Sequence, residues 1–107
     1  MAFNGNEGEM IDPKIAQQMI DNYQKNIAPT EVRAVFFGVN KLNQLLGQGQ
    51  AVGLRIYFGK DDAGLDTLVV VAATAQEKNI GPIDGSKSAG LVLDRGEPCP
   101  PYCNIAD

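Results

Sequence analysis

Ala51-Val52-Gly53-Leu54-Arg55-Ile56-Tyr57-Phe58, then Lys60-Asp61-Asp62-Ala63-Gly64, then Thr67-Leu68-Val69-Val70-Val71-Ala72-Ala73-Thr74 is the stretch that decides the fold. In its first part Val52, Leu54, Ile56 and Phe58 alternate with Gly53, Arg55 and Tyr57. That period of two describes a half-buried strand, with the apolar side chains on one face and Arg55 and Tyr57 together on the other. The middle part is rich in Asp and Gly, as a turn requires. The last part is an almost unbroken apolar run, the pattern of a strand covered on both faces. The three together predict an antiparallel hairpin whose second strand lies centrally in a sheet.

Upstream of the hairpin the period changes. Asp12-Pro13 reads as an N-cap followed by proline at the first helical position, where the missing N–H costs nothing. Ile15, Met19, Ile20, Tyr23 and Ile27 recur at helical spacing, so this helix is expected to pack one face on a core and to end before Pro29. Val32 to Phe37 is rich in β-branched and aromatic residues and reads as a short strand closed by Gly38. Asn40 is the candidate cap of a second helix over about 41–47, with Leu42, Leu45 and Leu46 as its stripe and Gly47 to Gly49 ending it.

Downstream, residues 76–90 are rich in Gly, Asp, Ser and Lys and read as loop, with Leu91-Val92-Leu93 a possible last strand and a proline-rich, irregular tail after Gly96. Residues 1–11 are polar and aperiodic and are expected to form a flexible N-terminal arm before a single domain over 12–107. Helices interleaved with antiparallel strands give an α+β fold, expected as a two-layer sandwich whose mainly antiparallel sheet carries two helices packed on one face.

Composition narrows the chemistry. With 107 residues, 44% hydrophobic and 21% charged, the chain has the size and balance of one globular domain. Its formal charge of −4 and scattered Lys and Arg disfavour nucleic acid. No apolar run approaches the roughly 20 residues of a membrane-spanning helix. The first residues have neither the basic nor the apolar region of a signal peptide, so a reducing, cytoplasmic setting is expected. There is no histidine, which removes Ser-His and Cys-His pairs and imidazole metal ligands within one chain. No cofactor and no catalytic residue is expected.

The chemical candidate is Pro98-Cys99-Pro100-Pro101-Tyr102-Cys103. Four extended residues span about 13 Å, whereas a disulfide needs Cα atoms about 4.4 to 6.8 Å apart, so the segment must turn before the sulfurs can meet. A staple for the tail is the plainest reading of Cys99 and Cys103. A redox pair and a metal site remain open, though the spacing exceeds Cys-x-x-Cys and two thiolates do not complete a zinc site. Arg55 and Tyr57, with Arg33 and Arg95 elsewhere, could bind an anion or a partner from the sheet face, or simply form a cross-strand pair. Gly47 to Gly53 follows a helix and precedes a strand, the reverse of a dinucleotide loop. Asp61, Asp62 and Asp66 fit turn chemistry and not a calcium loop, and Ser86-Lys87-Ser88 fits a solvated loop.

The combination Gly53-Leu54-Arg55-Ile56-Tyr57-Phe58-Gly59, Leu68 to Val71 and Cys99-Pro100-Pro101-Tyr102-Cys103 resembles small Bacteroidetes-type proteins that have no assigned activity. The resemblance implies a compact domain with a cysteine-containing tail and assigns no catalytic residue. The expected function is therefore that of a binding or interaction module meeting a second copy or another protein, with a thiol-dependent redox or metal-binding role for Cys99 and Cys103 as the alternative.

Overall fold

The computed structural model describes residues 2–106. Its elements run α1 Pro13–Gln24, β1 Ala34–Phe36, α2 Val39–Leu46, β2 Ala51–Lys60, β3 Asp66–Thr74, β4 Asn79–Ile80, β5 Val92–Leu93 and β6 Glu97–Cys99. Helices and antiparallel strands interleave, and the fold class is α+β.

The hairpin forms as its pattern requires. β2 and β3 pair antiparallel from Lys60 opposite Asp66 back to Ala51 opposite Thr74, with a bulge between Ala51 and Gly53. Asp61 builds the turn: its Oδ1 accepts the N–H groups of Ala63 and Leu65, both at 2.9 Å, while Gly64 takes the left-handed φ of +82°. β3 is central, flanked by β2 on one side and by β4 and β5 on the other, which leaves β2 at the edge. Val70, Val71, Ala72 and Ala73 are all buried, so the continuous apolar run marks a strand covered on both faces.

The core lies on the face shared by Leu54, Val70, Ala72 and Ile80, against Leu45 of α2, with Phe37, Ala51 and Leu93 packed around it. The N-cap of α2 lies two residues before the expected one. Gly38 occupies the N-cap in extended conformation and its carbonyl accepts the N–H groups of Lys41 and Leu42, so Asn40 lies inside the helix.

Four further expectations are corrected. β4 lies within the segment read as loop, and β6 lies in the tail read as irregular, where it pairs with β1 in a second, two-stranded sheet with Ala34 opposite Cys99. The apolar face of β2 is covered only in part, with Ile56 exposed and Phe58 94% exposed. The reason is length: an eight-residue helix is about 12 Å long, whereas a ten-residue strand runs about 33 Å. Finally, α1 does not seal its apolar face on the core. Asp12 caps it as expected, its Oδ1 accepting the Lys14 N–H at 2.8 Å, but none of its residues is buried.

The N-terminal residues follow the opposite face of the sheet. Glu7 accepts the N–H groups of Asn4 and Gly5 in a tight turn, and the Phe3 N–H donates to the Ala75 carbonyl at 2.8 Å.

Candidate functional site

Strand alternation brings Arg55 and Tyr57 to one face, as expected, and the same alternation adds Val71, Ala73 and Asn79 from the neighbouring strands. Asn79 ties them together. Its Oδ1 accepts from Arg55 Nη1 at 2.6 Å, and its Nδ2 donates to Tyr57 Oη at 2.9 Å and to the Ile83 carbonyl at 3.3 Å. Tyr57 Oη in turn donates to Asp84 Oδ2 at 2.9 Å. Arg55 Nη1 also reaches the Glu77 carbonyl, and its Cζ lies 5.6 Å from the centroid of the Phe3 ring. A line of hydrogen bonds thus runs from an anionic carboxylate through a phenol and an amide to a guanidinium, each bond polarising the next. Asn79, only 6% exposed, uses its acceptor and both amide protons.

This network roofs Val71 and Ala73 and lines an open hollow of about 770 Å³ with Gln50, Ser86 and Lys87. Ser86 Oγ donates to the Asn79 carbonyl, so the Ser86-Lys87-Ser88 segment is anchored at its first serine. Asn79 and Asp84 were not singled out in the sequence. A two-residue strand has no readable period, and the one signal is Asn79 beside Ile80 at the start of a Gly- and Ser-rich run.

Cys99 and Cys103 form a disulfide, with their Cα atoms 4.7 Å apart. The Tyr102 N–H donates to the Pro98 carbonyl at 2.9 Å, which closes the turn that the spacing demanded. β6 holds Cys99 in place: the Arg33 N–H donates to its carbonyl at 2.8 Å. Arg33 Nη2 lies 3.7 Å from Cys103 Sγ, so the arginine reaches the more exposed half of the bridge. The pair is joined to sheet β1–β6, far along the chain from Arg55 and Tyr57, and Arg95 takes a left-handed φ of +62° before β6. Among the described residues, no three His, Cys, Asp or Glu side chains are grouped to hold a metal ion, and no helix is long and apolar enough to cross a membrane.

A third surface was not anticipated. Met19, Ile20 and Tyr23 of α1 face Phe58 of β2 and Leu68 of β3 across a groove of about 510 Å³, floored by Val32 to Val35. Its side chains stay open: Met19 is 59% and Tyr23 54% exposed. At the rim Lys60 pairs with Asp66, and this hydrogen bond and charge hold the Lys60 ammonium above its ordinary value. Both Ile20 and Phe58 belong to stripes that the sequence assigned to a core. No protein-family model, curated protein or solved structure matches the chain.

Proposed function

We propose that the chain is a binding or interaction module without catalytic activity, and that the groove between α1 and the β2–β3 hairpin is its contact surface. One observation carries the reading: aliphatic and aromatic side chains patterned for a core converge on a groove that the chain itself leaves open. Contiguous exposed apolar surface with a polar rim is what protein contacts are built from. The Arg55 and Tyr57 face is the weaker contact surface, because the polar atoms of Asn79, Tyr57 and Arg55 are already engaged with one another. The reading also fits the kinship with small Bacteroidetes-type proteins proposed from the hairpin and the cysteine tail.

A photo-reactive phenylalanine analogue at position 58 tests it in intact cells, with the same analogue at exposed Lys41 as control. A discrete cross-linked adduct at 58 and none at 41 is expected. No adduct at 58 overturns the contact surface.

The Arg33 contact favours a second reading, thiol–disulfide exchange. A small external thiol, as thiolate, attacks Cys103 Sγ and expels Cys99 as thiolate. A second thiol then cleaves the mixed disulfide, leaving the protein dithiol and an oxidised small-molecule disulfide, with the Cys103 thiolate favoured by the Arg33 guanidinium. Under this reading Arg33→Gln raises the pH at which Cys103 is alkylated in the reduced protein, and an unchanged alkylation profile contradicts it. The thiol state also reports the compartment: cytoplasmic placement entails free thiols in acid-quenched cells, and a closed bridge entails an oxidising setting.

A further inference from the structure

We infer that the groove between α1 and the β2–β3 hairpin is filled by a second copy of this chain, in a two-fold dimer whose α1 and Phe58 faces meet. The inference rests on the contact surface proposed above and adds the identity of its occupant. A folded monomer of this mass exposes about 5,800 Å², whereas this chain exposes 8263 Å². The excess is several times the roughly 800 Å² per partner of a standard interface. The N-terminal arm and the tail take part of it, but Met19, Tyr23, Ile56 and Phe58 lie outside both and are each more than half exposed.

The chemistry of the groove selects the partner. Its floor is apolar apart from Arg33, and its rim carries Lys60 and Asp66 already paired, with Glu31 near enough to act on Lys60. A mixed, nearly balanced rim is compatible with itself, as a two-fold contact requires, and offers nothing to a strongly charged peptide. The demand for cover is also permanent. A twelve-residue helix is marginal in water by itself, and α1 buries no residue in its own chain. Each copy leaves the same face open, and a second copy covers both faces at once at equal stoichiometry.

Sedimentation equilibrium over a dilution series tests this, with circular dichroism to establish that each variant is folded. The wild-type chain is expected at twice its 11.4 kDa mass, dissociating on dilution. Phe58→Glu is expected to weaken association by about thirtyfold or more, the loss typical of a central aromatic anchor. Tyr23→Glu, on the other wall, repeats the test should Phe58→Glu fail to fold. A wild-type chain that is monomeric at every concentration overturns the dimer, as does a dimer unmoved by both folded variants. A monomer that still cross-links a different protein through position 58 overturns the second copy while leaving the interaction module standing. A monomer with no adduct at 58 removes both.

Discussion

Asn79 ties Arg55 and Tyr57 to the Ile83 carbonyl on one face of the sheet, and its loss has a calculable cost. Replacing it with alanine removes its hydrogen bonds to Arg55 Nη1, Tyr57 Oη and the Ile83 carbonyl, leaving Arg55 on the Glu77 carbonyl and Tyr57 on Asp84, so Asn79→Ala is expected to destabilise by about 1 to 3 kcal/mol in denaturant unfolding. A loss below a few tenths would mean that the network is ornamental. Glu7 offers a pH test at the same scale. Hydrogen bonds from the backbone N–H of Asn4 first, and of Gly5 and Asn6 as well, hold its carboxyl below the ordinary glutamate range. With the folded value below the unfolded one, the turn's stabilisation is complete above the unfolded glutamate pKa and is lost as pH falls through the lower folded value. The amide resonances of Asn4 and Gly5 are expected to titrate with a midpoint below that of a free glutamate, and an ordinary midpoint would dissolve the turn. Legibility at this scale was uneven. Alternation placed Arg55 beside Tyr57, but Asn79 entered the site through a strand too short to show a period.

Among the elements, the small sheet β1–β6 depends on the disulfide that closes its far end. Cys99→Ser with Cys103→Ser is expected to cost about 2 kcal/mol, the chain-entropy value for so short a loop, and to speed amide exchange in β1 and β6 more than in β3. Uniform acceleration everywhere would show that the bridge supports the whole fold and not one sheet. Gly96 sits where β6 leaves the preceding turn: a Cβ there would meet Val35 Cγ1 at 2.5 Å and the Phe36 carbonyl oxygen at 2.7 Å. Gly96→Ala is therefore expected to destabilise by about 1 to 3 kcal/mol, read by thermal unfolding. The hairpin was legible because long strands repeat their pattern and Asp61 carries turn chemistry in its side chain. β6 was not, since Glu97-Pro98-Cys99 owes its strand geometry to pairing with β1 rather than to any preference of its own.

For the whole molecule, the radius of gyration of 15.5 Å exceeds the roughly 13 Å of a compact chain of this length. The amphipathic stripes of α1 and β2 were readable, and both were expected to meet a core within the chain. They fail to because α2 is too short to cover the hairpin beyond Leu54; its length was readable, but not its placement over one end of the hairpin. A chain can thus display core periodicity on a surface that it leaves open. The measurement that bears most directly on this is amide hydrogen exchange across α1 in the intact wild-type protein, at high and at low concentration. Covered by a partner copy, the amides of α1 are expected to be protected when concentrated and to lose protection on dilution, while those of β3 stay protected throughout. Amides of α1 that exchange as fast as an unfolded peptide at every concentration would contradict the account.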